Sequence, residues 1–206
     1  MSPRDRAGTV ERLLSAGGRV FAEQGLGAAT VDDVAAAAGL TKGAVYSNFE
    51  SKEELFLAVL ERRYAERIEA VRQLTGGEGS TELRARNLAA DFTEYLREDP
   101  QWPRLFFEAC AHALRNEPFR VAFAKRNRQL RTALAELIEQ RTAQLGITPA
   151  PSAHEVAAMA TILANGYALE RELDPEVVND ELYGQLNLVF IRGLIATAAR
   201  FEGRSD

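Results

Sequence analysis

The sequence predicts an all-α protein of about nine helices, and three observations carry that prediction. Apolar residues recur at three- and four-residue spacing over most of the 206 residues. Capping residues and Gly or Pro stops punctuate these stretches. The strict apolar–polar alternation of half-buried strands is nearly absent.

Val10, Leu13, Leu14, Gly17, Val20 and Phe21 share one face, which predicts a first helix over 3–24, ended by Gly25 and Gly27. Thr30 and Asp33 fit a capping box opening a short helix with Val31, Val34, Ala35 and Ala38 inward. Gly39 stops it, and Thr41 can cap a third helix running to Phe49. Ser51-Lys52-Glu53-Glu54 is a further capping box, starting a long helix over 53–74 through Leu55, Phe56, Val59, Leu60 and Tyr64. Thr75 to Ser80, TGGEGS, is the clearest break in the chain. Five more helices are expected near 81–98, 101–115, 117–145, 153–172 and 177–201. Asp99-Pro100, Asn116-Glu117-Pro118, Ser152 with Glu155, and Asp174-Pro175 supply the last four starts. Gly146, Pro149 and Pro151 mark the loop after the longest helix. No internal repeat is visible.

Composition narrows the function. Hydrophobic residues make up 46% and charged ones 27%, the balance of a globular protein. No apolar run reaches the roughly 18 residues that span a bilayer, and no signal peptide is visible, so a cytoplasmic location without membrane association is expected. A single cysteine excludes an internal disulfide and offers no metal-ligand spacing. The net charge of −5 argues against indiscriminate coating of nucleic acid. Its distribution is uneven: residues 1–52 hold six basic and six acidic residues, and the remainder carries the whole deficit.

Residues 41–49, TKGAVYSNF, make a poor core helix. At 100° per residue Val45 and Phe49 fall together, flanked by Thr41 and Asn48, while Gly43, Tyr46 and Ser47 point away with Lys42 and Ala44 on the shoulders. The outward side is small, hydroxylated and lightly cationic. It suits entry into a groove better than the lining of an apolar pocket. With the small-residue helix before it, the segment reads as the second half of a helix-turn-helix.

Residues from about 8 to 60 resemble the DNA-binding domain of the tetracycline-repressor (TetR) family of bacterial transcription regulators. The matching run is FAEQGLGAAT followed by VDDVAAAAGLTKGAVYSNFESKEELF, with Tyr46, Phe49, Ser51, Lys52 and Glu53 in the family's register. The resemblance implies a DNA-binding domain over 1–52, a linking helix at 53–74, and an effector-binding and dimerisation domain over 53–206. It implies that Tyr46, Asn48 and Lys52 bond phosphates and that Thr30 touches the opposite backbone. Thr41, Lys42, Gly43, Ala44 and Ser47 would face the duplex, Lys42 meeting guanine and Ala44 a thymine methyl. Asn48 stands where His is frequent in the family. Against these roles, Thr30, Thr41 and Ser51 are also explained by capping alone, and a surface Lys or Ser by solvation. The implied partners are a roughly palindromic double-stranded DNA operator, a small-molecule effector and a second copy of the chain. The implied function is a ligand-responsive regulator, a repressor before an activator, with a helical small-molecule-binding protein that no longer regulates transcription as the alternative.

The larger half gives less. For dimerisation, one stripe holds Val156, Met159, Ala160, Leu163 and Tyr167. A second holds Leu182, Leu186, Val189, Phe190, Gly193 and Leu194, extended by Thr197. Both stripes also fit closure of the protomer's own core. Phe92, Tyr95, Trp102, Phe106, Phe107, Cys110, Phe123, Met159, Leu163 and Tyr167 are candidates to line an effector cavity, with plain core as the competing explanation. His112 and Asn165 would orient a ligand if they face inward. Glu108 and His112, four apart on a helix face, are the best enzyme-like pair, but no third ligand and no nucleophile motif accompanies them. The expectation is a binding protein without catalysis, metal or cofactor.

Overall fold

The computed structural model of the chain describes residues 3–75, 80–146 and 151–202; among these it has nine helices and no strand. Gly76, Gly77, Glu78, Gly79 and Pro149, expected in breaks, lie outside the described residues.

Helix α1 (Pro3–Ala28) is interrupted where the sequence places its first stop. Gly25 has φ 76° and ψ 160°, a region open essentially to glycine. The break leaves the Leu26 amide without a helical acceptor, and Glu108 Oε1 takes it at 2.9 Å.

Helix α2 (Val31–Ala37) opens on the expected capping box: Asp33 N–H donates to Thr30 Oγ1 at 3.1 Å, and Thr30 N–H to the Asp33 carboxylate at 2.9 Å. It closes through Gly39, whose φ of 61° lets Leu40 N–H return to Ala35 C=O at 2.9 Å. Arg12 of α1 donates to the Ala38 carbonyl at 2.6 Å, satisfying another acceptor at this helix end.

Helix α3 (Lys42–Tyr46) is capped by Thr41, whose hydroxyl accepts from Ala44 N–H at 3.2 Å. It ends three residues before the expected Phe49. Residues 47 and 48 continue as a turn, and Phe49 N–H donates to Val45 C=O at 2.9 Å. Helix α4 (Lys52–Thr75) starts on Ser51, whose Oγ accepts from Glu54 N–H at 3.0 Å. The Glu54 carboxylate reaches Glu50 N–H rather than that of Ser51, so the expected box is half-closed.

Then follow α5 (Thr81–Glu98), α6 (Gln101–Ala113), α7 (Glu117–Gln144), α8 (Ala153–Leu173) and α9 (Asp180–Glu202). Helix α9 begins later than the expected 177. Asp174 closes a turn with Val177 N–H and Val178 N–H instead, and Asn179 Oδ1 caps α9 through Leu182 N–H at 3.0 Å. Ser152 and Glu155 form the expected capping box on α8. Ser152→Ala is expected to lower stability by about 1 kcal/mol in urea unfolding, because it removes the hydroxyl that accepts from Glu155 N–H and donates to the Glu155 carboxylate, leaving only the backbone half of the cap. Glu155 is held below its ordinary pKa first by the Ser152 hydroxyl. The cap is therefore complete above the carboxylate's unfolded pKa and is lost as pH falls through the lowered value.

The chain divides into two compact units, residues 1–65 with 100–126 and residues 66–99 with 127–206. In the first, α1 packs on α2 and α6 around Leu13, Phe21, Phe56, Leu60 and Leu105, all essentially inaccessible. Phe21 meets Phe56 edge-on at 5.0 Å. In the second, α5 packs on α9, and Ala135, Ala153 and Ala157 form a small-residue core with Leu134 and Ile138 against it.

Candidate nucleic-acid interface

Three devices fix α3 against α2. Val45 and Phe49 anchor it in the core, at 1% and 8% exposed. The Gly39 turn sets the crossing, and Thr41 caps the start. What remains outward is the set of residues read from the sequence. Tyr46 is 52% exposed, and Thr41, Lys42, Gly43 and Ser47 are exposed with it. Ala44 and Asn48 are half-buried on the shoulders, and Thr30 is exposed at the start of α2.

Several polar groups of this surface have partners within the unit. Lys42 Nζ lies 2.7 Å from Asp32 Oδ2, and this contact raises the lysine's pKa. Ser47 Oγ donates to Gly43 C=O at 2.7 Å. Asn48 Nδ2 donates to Ala44 C=O at 2.8 Å, while its Oδ1 accepts from Arg6 Nε at 3.2 Å. Lys52 turns back to the carbonyl of Ala29 at 2.7 Å, tying the start of α4 to the end of α1. Thr30 Oγ1 donates to Asp33 at 2.6 Å, and Asp33 is held below its usual pKa by that hydroxyl and by the Thr30 amide. Arg6, Arg12 and Asp32 were given no role by the sequence reading. Each lies 10 to 42 positions from its partner, beyond the reach of spacing rules.

The ten effector candidates fall into two groups. Trp102, Phe106, Phe107, Cys110 and Phe123 belong to the first unit, where rings meet ring to ring: Tyr64–Trp102 at 5.4 Å, Trp102–Phe106 at 5.7 Å and Phe106–Phe107 at 5.2 Å. Phe92, Tyr95, Met159, Leu163 and Tyr167 belong to the second. There Tyr167 stacks on Tyr183 at 4.1 Å, Phe92 lies 5.5 Å from Tyr183, and the Arg67 guanidinium sits 4.8 Å from the Tyr95 ring. Tyr167 donates to Asp180 at 2.7 Å, and burial followed by that bond pushes its pKa upward. Met159 is exposed rather than enclosed.

Of the dimer candidates, Val156 is buried in the protomer. Leu186 and Gly193 are exposed, and Phe190, Leu194 and Thr197 are half-buried. Among the described side chains, the most exposed apolar ones of α8 and α9 are Ile162 at 69%, Leu173 at 69% and Val189 at 70%. Ile162, Leu169 and Leu173 lie on a stripe of α8 rotated from the one read in the sequence.

Glu108, half of the enzyme-like pair, is committed to the Leu26 amide. His112 packs edge-on to Phe119 at 4.7 Å. Burial pushes the Cys110 thiol up, which keeps it protonated near neutrality and a poor nucleophile. Among the described residues no three His, Cys, Asp or Glu side chains group to hold a metal, and no helix is long and apolar enough to cross a membrane.

Residues 13–59 match the family model of tetR-family bacterial regulatory proteins, and residues 82–196 match that of the BetI-type transcriptional repressor C-terminal region. The chain is 38% identical over 107 residues to the transcriptional activator FasR of Mycolicibacterium smegmatis. That alignment covers 52% of this chain and 48% of FasR, so the chain spans about half of that relative. It is 46% identical over 55 residues to the regulator SrpR of Pseudomonas putida, 27% of this chain and 26% of SrpR. A TetR-family regulator from Rhodococcus sp. shares the fold with a TM-score of 0.76 at 23% identity, over 91% of this chain and 98% of the other. FadR of Bacillus subtilis, solved in complex with stearoyl-CoA, aligns with a TM-score of 0.67 at 14% identity, over 86% and 95%. With the second family match alone covering more than half of its length, the chain belongs to the TetR family of bacterial transcription regulators.

Proposed function

We propose that the protein is a homodimeric, ligand-responsive transcription regulator, acting as a repressor, that binds a two-fold symmetric DNA operator through α3. The observation that carries this reading is the split of residues 41–49 into a buried anchor, Val45 and Phe49, and an outward face of small residues with Tyr46 and Lys42. Small side chains permit close approach to base edges, while Tyr46 and Lys42 extend to phosphate or guanine. Residues 1–52 serve as the DNA-binding domain, and 53–206 bind the effector and the partner copy. Thr30, Thr41, Gly43, Ala44, Ser47, Asn48 and Lys52 complete the DNA-facing set. To reach a phosphate, Lys52 exchanges the Ala29 carbonyl for it.

The effector binds among the aromatic residues of the larger domain and favours a dimer whose recognition helices no longer match the operator. It acts only through its differential affinity for the two shapes. The aromatic side chains of that domain support an apolar or amphipathic effector, and the bound stearoyl-CoA of the similarly folded FadR is consistent with that class.

Fluorescence anisotropy on an operator selected from random-sequence duplexes tests the DNA role. Lys42→Ala is expected to relax sequence preference, with about 1–3 kcal/mol lost on the operator and little on random DNA. Equal losses on both would remove Lys42 from base reading. An operator complex that no small apolar or amphipathic compound weakens would count against the ligand response.

A further inference from the structure

We propose that Arg6 of α1 grips a phosphate beside α3 and that Asn48 is its positioning residue, so position 48 meets the duplex through the arginine. The inference rests on the DNA-binding role of α3 proposed above. At 100° per residue, Lys42 and Asn48 fall on opposite sides of the outward face made by Gly43, Tyr46 and Ser47. A helix seated in the major groove has a phosphate strand along each of those sides. Lys42 supplies a cation on one of them. Ala44 and Asn48, on the other, are uncharged, and α1 fills the gap: Arg6 Nε donates to Asn48 Oδ1 at 3.2 Å.

Asn48 is anchored at its other end, where Nδ2 donates to Ala44 C=O at 2.8 Å. Its amide thus has the oxygen engaged by Arg6 and a hydrogen engaged by α3. Arg6 keeps more to offer. Among the described residues Asn48 is its one hydrogen-bonding partner, and the contact uses only Nε. The two terminal nitrogens form a planar fork that matches a phosphate. Binding does not break the contact, because Nε holds Asn48 while the fork meets the anion. Lys42 lies against Asp32 and Lys52 against the Ala29 carbonyl, so each of them must change partner first. Arg6 is exposed and its partner is neutral, so its charge is available. The placement does nothing for α1 itself, since the first turn of a helix disfavours a cation. Holding the guanidinium in advance lowers the side-chain entropy lost on binding.

Arg6→Gln removes the charge and keeps a donor for Asn48. Asn48→Ser keeps a donor for the Ala44 carbonyl, as Ser47 has for that of Gly43, but is too short to reach Arg6. Anisotropy would be measured on a random-sequence duplex pool and on a selected operator, from low to moderate salt. For Arg6→Gln the expected result is binding about 5- to 30-fold weaker on both, with a salt slope shallower by about 0.9 for each bound protomer. Asn48→Ser should weaken binding about 2- to 5-fold alone and less than about 1.5-fold beside Arg6→Gln. Thermal unfolding within a degree or two of wild type would keep the comparison free of folding effects. An unchanged slope in Arg6→Gln, or a loss confined to the operator, overturns the phosphate role. An equal loss for Asn48→Ser with and without Arg6 overturns the positioning role and returns the contact to the asparagine itself. Wild-type protein that binds no duplex overturns the DNA-binding reading, and this inference with it.

Discussion

Gly25→Ala is expected to destabilise the protein by about 2 kcal/mol, a large effect for adding one methyl group. Gly25 sits at φ 76° and ψ 160°, where a Cβ strains the backbone regardless of available space. The space is also short: a Cβ there would lie 3.3 Å from Glu108 Oε1, the atom that accepts the Leu26 amide. The added methyl thus opposes both the bend of α1 and the contact that satisfies it. Urea unfolding of Gly25→Ala beside Gly27→Ala separates the explanations. Gly27 has open space around its Cβ position and no positive φ, so its substitution should be neutral or slightly stabilising. Equal behaviour of the two variants would show that the bend at Gly25 carries no special constraint.

Val189→Asp is expected to convert the protein to monomers and to weaken operator binding by about 100-fold or more. Val189 and Ile162 are each about 70% exposed on α9 and α8, among other accessible apolar side chains of the same helices. In the proposed dimer they are covered by the partner copy, and a carboxylate there loses its hydration. The fall in DNA affinity follows from avidity: one recognition helix holds a half-site weakly, and two linked ones multiply. Sedimentation velocity reads the first effect and anisotropy the second. A dimer that persists in Val189→Asp would move the interface elsewhere, and a monomer with undiminished operator affinity would dissolve the link between pairing and DNA binding.

The sequence was most legible where local chemistry decides the outcome. Thr30 with Asp33, Ser152 with Glu155, and the Gly25 and Gly39 stops each act over a few residues, so helix order and most helix ends followed from them. Asp174-Pro175 misled because a second candidate, Asn179, stands five residues on, and only the three-dimensional path decides which of them caps α9. Val45 and Phe49 were readable as an anchor from a helical wheel. The partners of Lys42, Asn48 and Lys52 were not, since Asp32, Arg6 and Ala29 come from other helices or their ends. Val156 shows the same limit on the apolar side. Helix α8 turns Val156 and Tyr167 of its stripe into the protomer and leaves Met159 outward, along with Ile162, Leu169 and Leu173. A stripe fixes that a face is apolar, and neighbours fix what covers it.

The recognition of DNA by paired α3 helices is tested most directly by selection from random-sequence duplexes, followed by measurement of the stoichiometry on the enriched sequence. The expected product is a two-fold symmetric site with half-site centres about 34–36 Å apart or somewhat more, bound by two protomers. Enrichment of an asymmetric site held by one protomer, or no enrichment at all, would contradict it.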